Sequence, residues 1–113
     1  DHSFSANISP RTLEAKVVQD ADRLDGIGAI GIARCFSMSG LLRRDFYDIS
    51  DPFCDEREPN DQRNSLDHFF VKLLRVANHL HTESGRREGR SRAQFLEHYV
   101  RQLRSEISYP AIR

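Results

Sequence analysis

The feature that most constrains this chain is a pair of apolar repeats with helical spacing in its second half. The first repeat advances by steps of three and four residues: Leu66, Phe69, Phe70, Leu73, Leu74, Ala77 and Leu80. The second repeat is similar: Leu96, Tyr99, Val100, Leu103 and Ile107. Such spacing forms one apolar stripe on an α-helix, which predicts helices over about 65–82 and 90–107. Gly85 and Gly89 each weaken a helix by about 1 kcal/mol, so we expect a break or a frayed turn near them, before the last helix.

A further helical region is predicted over about 12–36, with a first helix that runs to about Leu24. Thr12 is a suitable N-cap, and apolar residues follow it at helical steps. Residues 26–33 also fit a buried strand, but no second strand candidate exists to pair with it, so a helix is favoured. Turn-forming pairs at 39–40, 51–52 and 59–60 predict a long loop over 37–64, which is functional, mobile or both. The predicted fold class is therefore all-α.

The charge balance and the cysteines limit the possible partners. Lys plus Arg and Asp plus Glu each number 17, so the formal net charge is zero. A neutral chain has no general attraction to nucleic acid or to anionic membranes. The sequence contains neither an apolar run of the roughly 18 residues that a membrane-spanning helix needs nor a signal segment. Cys35 and Cys54 fit no metal motif and no disulfide framework, which is typical of reduced thiols in a cytoplasmic protein.

The acidic run at residues 20–25 is the densest concentration of reactive groups. Asp22 and Asp25 are three residues apart, so both carboxylates can lie on one helix face. Carboxylates are the ligands that magnesium and manganese prefer. The alternative is a solvated helix surface whose charges are compensated by arginines.

The sequence around this run resembles the last metal-ligand motif of small HD-domain hydrolases, a superfamily of metal-dependent phosphohydrolases. The match covers residues 17–25 and continues over 28–34. Other segments resemble the same family in the expected order: 2–5, 46–48, 51–53, 68–69, 72–74, Thr82 and Arg92. The resemblance covers nearly the whole chain. It implies that residues 1–113 form the C-terminal helices of an HD-domain helical bundle with a long irregular loop.

The resemblance also implies roles for individual residues. HD hydrolases bind a divalent metal through a His, an adjacent His-Asp pair and a later Asp, and the metal activates water for attack on phosphate. Asp22 matches the later Asp, with manganese or magnesium as the expected metal, and His2 would contact the substrate nearby. His68 and Lys72 share a helix face, and phosphate contact is their functional interpretation. A solvated surface lysine is the alternative for Lys72, and a capping or packing role is the alternative for His2.

The sequence departs from the family in its metal ligands. No His-Asp dipeptide occurs, and Asp67-His68 has the reverse order and follows Asp22. One carboxylate alone does not make a selective metal site. We therefore expect the other ligands on helices before Asp1, no metal binding by this chain alone, and no catalytic residue within it.

Two functional hypotheses follow. The first is the C-terminal portion of a metal-dependent phosphohydrolase that acts on phosphate esters or anhydrides, with nucleotides as the expected substrates. The second is a non-catalytic helical module, or a degenerate HD homologue, that acts through protein association. Because a partial domain exposes apolar helix faces, a homo-oligomer is a possible state in either case.

Overall fold

The structure, a computed structural model, describes residues 11–109. Its helices, in chain order, are α1 (Leu13–Leu24), α2 (Gly28–Leu41), α3 (Asp67–Val71), a 3₁₀ helix (Leu73–His79) and α4 (Glu83–Ser108). The described residues contain no β-strand, and one isolated parallel bridge joins Asp45 to Asn64. The all-α prediction is confirmed.

The core lies where α4 crosses α1, α2 and the 3₁₀ helix. Ile27, Leu66, Phe69 and Leu96 are completely buried. The Phe69 and Tyr99 rings stack with their centroids 5.8 Å apart. Burying an apolar side chain of this size contributes about 1.5–3 kcal/mol, so the apolar repeats of the second half account for much of the stability.

The helical region predicted over 12–36 contains two helices, because the chain turns between Leu24 and Gly28. Ile27 has an extended backbone and is fully buried, while Gly28 has a φ of +75° that only glycine adopts easily. Arg92 of α4 donates from Nη1 to the Leu24 carbonyl at 2.6 Å and so satisfies the end of α1. Helix α2 then continues to Leu41, beyond the predicted end.

The predicted helix over 65–82 is also divided. Lys72 leaves the α-helical conformation with φ −136° and ψ −53°, and a 3₁₀ helix follows it. An apolar spacing of three and four residues fits both helix types, so the sequence pattern did not distinguish them.

The break predicted at Gly85 and Gly89 was wrong. Both glycines are buried inside the continuous helix α4, which begins after the N-cap Thr82. A side chain at Gly85 would collide with the Asp20 carboxylate, and one at Gly89 would collide with Leu80. These glycines allow α4 to approach its neighbours closely, and that packing outweighs their weak helix propensity.

The connection from α2 to α3 is irregular, as predicted, and a buried ion pair holds it in place. The fully buried Asp67 carboxylate accepts hydrogen bonds from Arg57 Nη1 at 2.6 Å and Nη2 at 3.1 Å. It also accepts from the Asn60 amide at 2.7 Å. Burial raises the pKa of the Asp67 carboxyl, but the hydrogen bonds lower it by a larger amount. The pKa therefore lies below its ordinary value.

Apolar side chains also remain on the surface of α1. Leu13, Val17 and Val18 are 69%, 51% and 68% exposed. In the part of the chain that the structure describes, no helix is both long and apolar enough to cross a membrane.

Candidate substrate cleft

A cleft of about 370 Å³ opens between α1, α2 and the α3 region. The side chains in its lining that carry charge or reactive groups are Asp22, Arg23, Arg34, Cys35, Arg44, His68 and Lys72. Three residues that the sequence analysis selected thus line one cleft: Asp22 from α1, and His68 and Lys72 from α3 and its C-terminal end. The fourth, His2, lies outside the described residues.

The cleft has a strongly positive lining. Arg34, Arg44 and Lys72 are cations at neutral pH, and Asp22 is the one carboxylate among the described lining residues. A concave surface with charge of one sign focuses the electric field and concentrates oppositely charged ligands. The lining therefore favours an anion, and guanidinium and ammonium donors suit phosphate oxygens.

Asp22 lies on the exposed side of α1, whereas Asp20 is buried against α4. The Asp20 carboxylate accepts hydrogen bonds from the His81 amide at 2.8 Å, the Thr82 amide at 2.8 Å and the Thr82 hydroxyl at 2.7 Å. Burial raises the pKa of Asp20, but these bonds outweigh that effect and leave the pKa below its ordinary value. Asp20 therefore joins α1 to the start of α4, while Asp22 faces the cleft.

Arg23 forms part of the cleft wall but is engaged in packing. It is 7% exposed, and its Nη1 donates to the His79 carbonyl and lies 3.1 Å from His81 Nε2. Since its guanidinium connects α1 to the end of the 3₁₀ helix, we assign it a structural role.

His68 is held by a loop carboxylate that the sequence analysis did not identify. Its Nδ1 lies 2.8 Å from Asp61 Oδ2, with both side chains partly buried. Lys72 follows one turn later, and its amide donates to the His68 carbonyl at 3.0 Å. Nothing in the spacing of Asp61 and His68 indicates this contact, because an irregular loop separates them.

Two arginines of the cleft were also missed. Arg34 lies within the matched motif, and its Nη1 donates to the Asp25 carbonyl at 3.1 Å, which directs the side chain along the end of α1. Arg44 follows the end of α2, where no motif or periodicity marked it as a site residue.

Cys35 also lines the cleft, but its thiol is a poor nucleophile. Burial raises the pKa of the Cys35 thiol, and the nearby Asp61 carboxylate raises it further, against an opposing effect of Arg44. The thiol is therefore protonated at neutral pH, which does not fit nucleophilic catalysis.

The described residues do not by themselves fit a metal site. Within residues 11–109, no group of three or more His, Cys, Asp or Glu side chains could hold a metal ion. Asp22 is a suitable oxygen ligand, and it is the one carboxylate among the described residues that line the cleft.

No protein-family model matches the chain. The chain is 39% identical over 98 residues to the Bacillus subtilis protein YpgQ, and the match covers 87% of this chain and 42% of YpgQ. The structure of YpgQ in complex with ADP has a TM-score of 0.73 and 40% identity, covering 88% of this chain and 47% of that one. An HD-superfamily hydrolase from Bacillus thuringiensis has a TM-score of 0.74 and 37% identity, with coverage of 88% and 48%.

These likenesses in sequence and fold define the class of protein. The chain has the fold of the HD-domain superfamily, as its motifs predicted, and its structural relatives include a hydrolase of that superfamily. It spans about half the length of the relatives that it matches.

Proposed function

We propose that the protein is a metal-dependent phosphohydrolase that binds a nucleotide-type substrate with its phosphate groups in the cleft. The observation that carries this proposal is the meeting of Asp22 with Arg34, Arg44, His68 and Lys72 in one cavity. The ADP in the YpgQ complex supports a nucleotide-type ligand, because that protein shares 40% of its residues with the aligned part of this chain.

Several residues of the cleft would each contact the phosphate groups of the substrate. Arg34, Arg44 and Lys72 would donate to phosphate oxygens, with the arginines able to form two parallel hydrogen bonds. His68 would donate to the same group from the α3 side. His2 remains a proposed substrate contact that lies outside the described residues.

Asp22 is the proposed metal ligand, with manganese or magnesium as the metal of the complete domain. This role follows from the matched motif and from the cleft-facing position of Asp22 on α1. The remaining ligands would have to come from residues that the structure does not describe, so we propose that residues 11–109 alone bind phosphate but do not turn it over.

The test is manganese-dependent hydrolysis of a nucleotide panel by the full-length protein and by Asp22→Asn. Loss of a metal ligand should lower the rate by at least about 100-fold, since metal activation of water supplies several kcal/mol of barrier reduction. Asp25→Asn is the matched control, because Asp25 belongs to the same acidic run but does not line the cleft. Full activity of Asp22→Asn would show that the ligand assignment is wrong.

A second candidate is a non-catalytic helical module that acts by association. The exposed Leu13, Val17 and Val18 of α1 favour it, because exposed apolar patches mark association surfaces. Sedimentation of the unmodified chain and of Val18→Glu, which places a charge in this apolar patch, distinguishes the hydrolase from the association module. A monomer with ADP affinity supports the hydrolase, and an oligomer without ADP affinity supports the module.

A further inference from the structure

Asp61 and His68 form an ionisable contact at the cleft that the matched motif does not contain. The Nδ1–Oδ2 distance of 2.8 Å is that of a good hydrogen bond. A carboxylate only accepts, so Nδ1 carries the proton in this contact. The orientation of the ring is thereby fixed from one edge.

Asp61 is held at this place by the buried ion pair of the loop. The amide of the preceding residue, Asn60, donates to the Asp67 carboxylate at 2.7 Å. The Asn60 side-chain oxygen accepts from the Gln62 amide at 3.1 Å. Asn60 therefore contacts the buried Asp67, and the next residue, Asp61, contacts His68 beside the cleft.

Asp61 lies next to the cleft, because the side chain with which it pairs, His68, lines the cavity. With Nδ1 directed to Asp61, Nε2 is at the opposite edge of the ring, away from the loop. Among the described residues, this nitrogen has no hydrogen-bond partner.

We propose that Asp61 is a positioning residue that fixes the His68 ring so that Nε2 donates a hydrogen bond to the substrate phosphate. This inference rests on the proposed function for the nature of the ligand. In the complex Nδ1 would donate to Asp61 and Nε2 would donate to phosphate, so the ring is held between two acceptors.

Groups that orient a ligand-binding histidine change its affinity indirectly, and their loss costs about 10-fold or more at metal sites, where this has been best quantified.

The experiment is calorimetric titration of the chain with ADP in a double-mutant cycle of Asp61→Ala and His68→Ala. Loss of a charge-assisted hydrogen bond should weaken ADP binding about 10-fold in either single variant. If Asp61 acts through His68, then Asp61→Ala should cause no further loss in the His68→Ala background. Asp61→Asn, which keeps an acceptor oxygen, should recover part of the affinity.

Asp55→Ala is the matched control, because Asp55 is an exposed carboxylate of the same loop that pairs with Arg104 at 3.2 Å. It should bind ADP like the unmodified chain. Unchanged affinity of Asp61→Ala, or an equal loss in both backgrounds, overturns the positioning role while leaving the proposed function intact.

NMR of the histidine ring nitrogens, without ligand and at pH 8, provides a readout that does not depend on ADP. Asp61 should keep the proton of the neutral His68 ring on Nδ1, and Asp61→Ala should shift it toward Nε2. An unchanged tautomer in Asp61→Ala overturns the positioning role. An Asp61-dependent tautomer in a chain that does not bind ADP instead overturns the proposed function.

Discussion

Asp20 and Asp22 are two residues apart on α1, yet they belong to different regions of the molecule. Asp20 lies in the junction of α1 with α4, where it is 3% exposed and accepts three hydrogen bonds from His81 and Thr82. Asp22 lies on the exposed wall of the basic cleft. The same division appears at Asp67 and His68, where the first residue is buried in an ion pair and the second faces the cleft.

In each of these two short polar runs, one residue stabilises the fold and a neighbouring residue faces the cleft. A buried carboxylate must have its hydrogen bonds satisfied, and Asp20 and Asp67 have partners on other segments that fix the fold. The neighbouring residue is then presented at a defined place on the surface. The rigidity of the cleft wall thus depends on the buried member of each pair.

The largest expected difference between the regions is in stability. Asp67→Ala should lower the free energy of unfolding by about 3–5 kcal/mol, because it leaves Arg57 without its buried partner. Urea unfolding followed by circular dichroism measures this loss. A loss below about 1 kcal/mol would mean that the ion pair is not the element that orders the loop.

The pH dependence of stability should have the same origin. The pKa values of Asp20 and Asp67 are lower in the folded chain than in the unfolded chain. Their stabilisation is therefore complete above the ordinary Asp pKa of about 3.9 and is lost as pH falls through the folded-state values. Unfolding free energies measured from pH 6 to pH 2 should decline, and Asp67→Asn should decline less steeply than Asp25→Asn.

Gly85→Ala should destabilise the α1–α4 junction by about 1–3 kcal/mol. The added methyl group would lie 2.8 Å from the Thr82 hydroxyl and closer still to the Asp20 carboxylate. Gly40→Ala is the control, because a side chain there meets no atom within 4 Å. If thermal unfolding gave equal midpoints for the two variants, the close approach of α4 to Asp20 would be contradicted.

In the cleft, Lys72→Gln should weaken ADP binding about 10-fold through loss of a charge-assisted phosphate contact. Its unfolding free energy should be nearly unchanged, because Lys72 is exposed. Arg101→Gln, an exposed position on α4 away from the cleft, is the control for net charge. Equal ADP affinities for the two variants would argue against phosphate binding at Lys72.

The smallest expected effect is that of Asp22→Asn on stability, within about 0.5 kcal/mol of the unmodified chain. Asp20→Asn should cost more, because it exchanges a buried hydrogen-bonded carboxylate for an amide that cannot accept all of its bonds. Chemical denaturation of the two variants side by side compares the regions directly. Equal losses would remove the distinction between them.

Much of the fold was predictable because helical periodicity is a local property. The apolar repeats of the second half predicted helices that contribute Leu66, Phe69 and Leu96 to the core. The ends of the helices were less predictable. The turn at Ile27 and Gly28 depends on Arg92, and the 3₁₀ segment after Lys72 has the same apolar spacing as an α-helix.

The candidate site was predictable only where a motif carried it. Asp22, His68 and Lys72 were selected from the sequence, and the structure brings them to one cleft, although their roles remain predictions. Arg44 and Asp61 were missed because both lie in irregular segments, where spacing contains no information about the direction of a side chain.

The all-α class, the acidic run and the likeness to the HD superfamily could be read from the sequence, because helical spacing and short motifs depend on residues that are close together in the chain. The tertiary structure decided which carboxylate of the run is buried and which faces the cleft. It also decided that Gly85 and Gly89 are packing positions rather than a break. These outcomes depend on partners far along the chain, such as His81 for Asp20 and Asp20 for Gly85, which no local pattern indicates.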